Sequence, residues 1–200
     1  MTETDRTPVR LLGFAGSLRR EAFSKAVVRG IAERQKAPVT MTVFDLGEVP
    51  LYNQDLDGEN QPPPVEAFKA AIAEADGLVI VTPEYNYGIP GVMKNALDWA
   101  SRPGFDSVLK DKPVLPVSSS PGLLGGVRAL AQLKGTLLAT LSRVILGPEV
   151  VIGQVKGKVE GGRLVDETSL GFAQAQVDAL VAAIRSNRAV KPTRSKVGAD

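Results

Sequence analysis

The apolar run Leu78-Val79-Ile80-Val81 does most to limit what this chain can become. It shows no alternation of polar and apolar residues, so as a strand it needs cover on both faces, as at the centre of a parallel sheet. The strand is read as Gly77–Thr82. Directly after it comes Thr82-Pro83-Glu84-Tyr85-Asn86-Tyr87-Gly88-Ile89-Pro90-Gly91, and then a helical pattern from Val92 to Ala100. A strand feeding a helix through a turn rich in Pro, Gly and aromatic residues presents amides and flat side chains at a sheet's carboxyl edge. In doubly wound α/β proteins, ligands bind along that edge.

Other strand and helix patterns alternate along the chain. Val9–Ala15 reads as the first strand, and Ser24, Val27, Val28 and Ile31 give the next helix an inward face. Val39–Asp45 alternates as a second strand, and the helix after Pro62-Pro63-Pro64 buries Val65, Phe68, Ile72 and Ala75. The helix opening at Pro90-Gly91 sets Met93, Leu97 and Ala100 on one side. Lys112–Ser118 is the fourth strand, and a helix from about Gly126 to Leu141 carries the stripe Leu130, Leu133, Leu137, Leu141. Arg143–Ile152 supplies a fifth strand interrupted at Gly147-Pro148, and Gly157–Gly162 reads as a hairpin or a loop. The last helix, about Glu167 to Asn187, buries Ala173, Val177, Leu180 and Ile184. Such alternation implies parallel strands joined by right-handed crossovers. The expected architecture is a flavodoxin-like three-layer α/β/α sandwich with a five-stranded parallel sheet in the order 2-1-3-4-5.

Two hundred residues suit one domain, here 9–187, and 44% hydrophobic content supports a sizeable core. Residues 1–8 and 188–200 read as flexible tails. The second carries Arg188, Lys191, Arg194 and Lys196, either solvated or touching an anionic surface. A net charge of +2 is too small to imply nucleic acid. No apolar run is long enough to cross a membrane, and the polar first eight residues lack a signal peptide's hydrophobic segment, so a cytoplasmic location is expected. Without Cys there are no disulfides or thiol nucleophiles, and without His the commonest general base and metal ligand are missing. An enzyme of this composition places its difficult chemistry on a bound cofactor, and no metal site is expected.

Three strand-end loops carry the candidate site. Gly16-Ser17-Leu18-Arg19 leads into a helix whose N-terminus favours an anion. Ser17 and Ser24 add hydroxyls, and Arg19 adds a charged fork. The loop lacks the Gly-Lys-Ser/Thr ending of a nucleoside-triphosphate loop and the G-x-G-x-x-G fingerprint. Taken alone it also fits a plain turn with surface arginines. In the third loop Pro83 and Pro90 stiffen the backbone, Gly88 and Gly91 leave room, and Tyr85 or Tyr87 can flank a planar ring such as an isoalloxazine. The alternative makes Tyr85, Tyr87 and Trp99 ordinary core or interface aromatics. Ser118-Ser119-Ser120-Pro121-Gly122 ends the fourth strand and can close the other side, or form a flexible Ser/Gly turn. Glu84 is read as a loop or subunit-interface residue rather than a catalytic acid.

On these loops the sequence resembles the NAD(P)H-dependent FMN reductase family of flavodoxin-like proteins, in particular the soluble bacterial quinone and chromate reductases. The likeness runs from about Val9 to Ile184. It is carried by Gly16–Arg19 and, most specifically, by the stretch from Thr82 to Trp99. It implies that Ser17, Arg19 and Ser24 hold the FMN phosphate. Pro83, Glu84, Tyr85, Asn86 and Tyr87 would meet the isoalloxazine and ribityl chain, with Ser118, Ser119 and Gly122 closing the far side. No side chain is expected to be catalytic: NADH or NADPH delivers hydride to flavin N5 and leaves. A quinone, or an acceptor such as chromate, a ferric chelate or an azo dye, then enters the same cleft in a ping-pong cycle. The likeness also implies a homodimer or a dimer of dimers (a homotetramer), with Arg128 and Glu149 pairing across subunits. Ala22 stands where the family usually has Ser, Ser24 where it often has Asn, and Ala131 where a Tyr completes the subunit network. An electron carrier without substrate turnover is the rival reading, and a nucleotide-binding regulator without flavin is a third. Nothing in the sequence separates NADH from NADPH, with Arg102 or another exposed arginine as the candidate cation for a 2′-phosphate.

Overall fold

The computed structural model describes residues 7–58 and 60–190. Its first strand β1 (Val9–Ala15) leads into α1 (Phe23–Glu33), then β2 (Val39–Phe44), α2 (Pro63–Glu74) and β3 (Gly77–Pro83). There follow α3 (Gly91–Ala100), β4 (Pro113–Ser119), α4 (Val127–Ala139), β5 (Arg143–Val144) and β6 (Val150–Ile152). A short hairpin, β7 (Val159–Glu160) with β8 (Arg163–Leu164), precedes the last helix, α5 (Glu167–Val190).

The main sheet is parallel in the order β2-β1-β3-β4-β5, as the alternation predicts, and β6 also pairs with β4. The expected fifth strand is thus two segments. Val144 pairs with the start of β4 and Val150 with its end, while Gly147 at φ 156° and Pro148 carry the chain away between them. Pro has no N–H for a ladder, so the break falls there.

Because β3 is central, its side chains are divided between two cores. Val79 and Val81 join Val27, Val28 and Ile31 of α1 and Val177 and Leu180 of α5. Leu78 and Ile80 join Phe68 and Ile72 of α2, Met93 and Leu97 of α3 and Leu133 and Leu137 of α4. The fully buried Phe68 ring meets Phe14 edge-on at 5.3 Å and Phe44 at 5.1 Å. Burying such a ring contributes about 1.5–3 kcal/mol. Trp99 is also core, its Nε1 donating to the Pro50 carbonyl at 2.8 Å.

Several boundaries differ from the sequence expectation. Helix α4 stops at Ala139, and Leu141, expected in the buried stripe, is 43% exposed with φ 62°. Its carbonyl there accepts the Asp111 N–H, so the backbone's role overrides the side chain's hydrophobicity. The excursion around Gly157–Gly162 is a hairpin, turning at Gly161-Gly162 with φ 53° and 75°. Both positive angles match the tight turns that suit strand twist. Helix α5 passes the expected end at Asn187 and reaches Val190. Arg188, assigned above to the tail, is helical; it pairs with Asp76 and donates to the Pro8 carbonyl. Lys191, Arg194 and Lys196 lie outside the described residues, as do the first six of the leading segment. Among the described residues, no helix is long and apolar enough to cross a membrane.

Candidate active site

Strands β1, β3 and β4 are neighbours, so their carboxyl ends bring three loops together. Ala15 stands beside Val81 and Pro83 beside Ser119, and the Gly16 N–H donates to the Val81 carbonyl at 3.0 Å. Between the loops lies a cleft of about 280 Å³. Of the residues proposed from sequence, Ser17, Arg19, Ser24, Pro83, Glu84, Tyr85 and Ser119 line it. Asn86, Tyr87, Ser118 and Gly122 do not. Ala22, Phe23, Ser120 and Pro121 line it and were not proposed as ligands.

Strand alternation accounts for the split of the serines. Successive side chains point to opposite sides of a strand, so when Ser119 faces the cleft Ser118 is turned away, fully buried near Gly126. That period was readable in the sequence. It also passes the lining role to Ser120 beyond the strand end. Gly122 serves its own loop: its N–H donates to Ser120 Oγ and its carbonyl accepts from the Gln154 N–H at 3.0 Å.

Polar groups in the cleft are short of partners. Ser24 is 1% exposed and Ser119 1%, and neither hydroxyl has a hydrogen-bond partner. Buried polar atoms are nearly always paired, so such orphans mark a place where something else binds. Ser17 is buried too, with its Oγ 3.2 Å from the Tyr85 hydroxyl and accepting weakly from the Arg19 N–H at 3.4 Å. The Arg19 guanidinium lies over the Phe23 ring at 5.3 Å. Ala22, the residue before helix α1, gives it no side-chain cap, and its first turn has no acidic residue. Its partial positive charge is therefore left uncompensated beside Ser24 and Arg19, an arrangement suited to an anion.

The loop after β3 is rigid for reasons its sequence only partly reveals. Tyr85 and Gly88 exchange both backbone hydrogen bonds at 3.0 Å, around Asn86 and Tyr87 at φ 50° and 66°. Asn tolerates the left-handed region; Tyr does so at a cost. Tyr87 lies 72% exposed with the Arg128 guanidinium 4.3 Å from its ring centre. Glu84 lines the cleft, but its carboxylate turns to α4, accepting from the Arg128 N–H at 3.0 Å and the Ala129 N–H at 3.1 Å. Gly126, which precedes that helix, has no side chain to cap it. Glu84 thus caps α4 from another loop. Gln132 of α4 in turn accepts from the Ile89 N–H at 2.7 Å. Arg102 stands away from the cleft, over Tyr52 at 5.4 Å.

The chain is 40% identical over 175 residues to a 2-hydroxy-1,4-benzoquinone reductase of Burkholderia sp., covering 86% of this chain and 94% of that protein. It is 35% identical over 181 residues to an NAD(P)H-dependent FMN reductase of Pseudomonas aeruginosa, covering 90% and 97%. The structure of FerB, a flavoenzyme NAD(P)H:(acceptor) oxidoreductase of Paracoccus denitrificans, superposes with a TM-score of 0.77 at 31% identity, covering 89% of this chain and 98% of FerB. The family model described as NADPH-dependent FMN reductase matches residues 9–157. The chain belongs to the NADPH-dependent FMN reductase family.

Proposed function

We propose that this protein is an FMN-dependent oxidoreductase that passes hydride from NADH or NADPH to quinones. The observation that carries the reading is the pair of unpartnered buried hydroxyls, Ser24 and Ser119, in a cleft that also holds Arg19 and an uncapped helix start. Those residues fit FMN. Ser17, Arg19 and Ser24 are suited to its phosphate, while Pro83, Tyr85, Ser119 and Ser120 are suited to its ring and ribityl hydroxyls. When bound, FMN supplies the hydride-accepting and hydride-donating centre that a chain without His or Cys does not provide. The protein's own part is to grip, orient and shield. Ala22 leaves one hydroxyl fewer than the family pattern, and the first-turn amides of α1 take up that share of the anion.

Support for a quinone as acceptor comes from the relative named as a benzoquinone reductase. Chromate, ferric chelates and azo compounds belong to the same proposal as acceptors of an open, unselective cleft. Nicotinamide and acceptor would use that cleft in turn, which gives ping-pong kinetics. We also assign the molecule a homodimeric or dimer-of-dimers form. Within the chain Arg128 pairs with Glu84 at 3.8 Å and Glu149 with Lys134 at 2.8 Å. Both are partly exposed, so either can exchange its partner for a charge on a second subunit.

The test is direct. Purified protein loaded with FMN is expected to oxidise NADH or NADPH rapidly once a benzoquinone is added, with parallel double-reciprocal lines. A yellow protein that fails to turn over would be a carrier. A protein that binds no flavin at excess would overturn the reading altogether.

A further inference from the structure

A second cleft, of about 540 Å³, adjoins the first and is lined by Arg20, Glu21, Arg29, Gly161 and Gly162. It shares Arg19, Ala22 and Phe23 with the flavin cleft, so the two meet at the start of α1. Arg20 and Arg29 are exposed, and neither has an ion-pair partner among the described residues. Arg19 is engaged by Phe23 at the junction. Glu21 is the one acid of the lining against three arginines, so the cleft is net positive, and two of those arginines stand outside the flavin cleft. Arginines left without carboxylate partners in a cleft large enough for a nucleotide are equipped to bind an oxyanion through paired N–H donors.

We infer that Arg20 and Arg29 receive the 2′-phosphate of NADPH, and that this second cleft sets the preference for NADPH over NADH. The inference rests on the flavin reading. That reading puts the ring end of the first cleft at Pro83 and Tyr85 and its phosphate end at Arg19. A nicotinamide at the ring end can lie along the flavin and carry its adenosine terminus past Arg19. The anion found on that terminus, and absent from NADH, is the 2′-phosphate. The Gly161-Gly162 turn of the β7–β8 hairpin forms the opposite wall without side chains to obstruct it.

Arg20→Ala combined with Arg29→Ala tests the assignment, since both side chains are exposed and outside the flavin contacts. Three measurements decide it: flavin affinity by fluorescence quenching, calorimetric titration with 2′,5′-ADP and 5′-AMP, and KM for each nicotinamide. Wild-type protein is expected to bind 2′,5′-ADP and the double variant to lose it, with 5′-AMP weak for both. KM for NADPH is expected to rise about tenfold in the variant, with kcat, KM for NADH and flavin affinity within about twofold. Equal shifts in the two KM values, undiminished 2′,5′-ADP binding, or 5′-AMP binding as tight as 2′,5′-ADP would overturn it. So would loss of flavin affinity, because the arginines would then serve the flavin phosphate. The nucleotide titrations are repeated on flavin-free protein, so failure to bind flavin sinks the first reading while the second is still decided.

Discussion

Glu84 shows how one side chain ties the site to the frame. Its carboxylate, 16% exposed, takes two N–H groups at the start of α4, so removing it leaves both without their acceptor. Glu84→Ala is expected to cost about 1–2 kcal/mol in chemical denaturation, with Glu84→Gln, which keeps an acceptor oxygen, recovering part of it. Ser24 differs, since its hydroxyl has nothing to lose inside the protein. Ser24→Ala should leave stability within about 0.5 kcal/mol of the parent while weakening flavin binding about tenfold, read by fluorescence titration. An unchanged affinity would show that this hydroxyl does not meet the phosphate. The sequence makes Ser17, Arg19 and Ser24 legible because a strand running into a helix start fixes where those positions face. It hides the destination of the Glu84 carboxylate, which depends on a helix more than forty residues later.

Two connections between elements lend themselves to the same treatment. The loop after β4 is fastened to the end of β6, with the Gln154 N–H reaching the Gly122 carbonyl and the Ser120 N–H the Ile152 carbonyl. A methyl group at Gly153 would run into the Leu123 carbonyl oxygen, a backbone atom with little freedom to retreat. Gly153→Ala is therefore expected to destabilise by about 1–3 kcal/mol and to loosen Ser119 and Ser120, lowering flavin affinity as well as Tm. At the start of α5, Asp166 accepts from the Ser169 N–H at 2.8 Å. The Ser169 hydroxyl and amide, helped by Lys158, hold its carboxyl below the ordinary 3.8. A carboxyl whose folded value is depressed contributes stability fully above its unfolded value and loses it as pH falls through the folded one. Asp166→Ala should cost about 0.5–2 kcal/mol at neutral pH. That difference should shrink when denaturation is followed below pH 4, and a constant difference would mean the charge plays no part. Helix and strand order was readable here because apolar periodicity is a local property. The split of β5 from β6 and the exit of Leu141 from the α4 stripe were less so, since long-range backbone pairing decides them.

The order β2-β1-β3-β4-β5 suits the alternation of strands and helices and the handedness of crossovers, so the sheet was legible in the sequence. What no pattern discloses is how much of the carboxyl edge is left unsatisfied once the fold is complete. Ser24 and Ser119 end with unpaired buried hydroxyls in the cleft, and the apolar groups Leu18, Tyr85, Leu123 and Leu124 stay exposed on the loops of that edge. A fold with such deficits is completed by what binds it. A ligand held by the native state alone adds RT ln(1 + [L]/Kd), about 2.7 kcal/mol at a hundredfold excess over Kd. In a chain of this size that corresponds to a rise in Tm of roughly 5–10 °C. FMN at that excess is expected to produce it, and riboflavin at the same concentration, which has the ring but no phosphate, a smaller one. Equal shifts with the two compounds would place the binding energy on the ring and strip Arg19 and the start of α1 of the role assigned to them. A shift with FMN that Ser24→Ala reduces and Arg20→Ala leaves intact would locate the phosphate in the first cleft and leave the second free for the nicotinamide nucleotide.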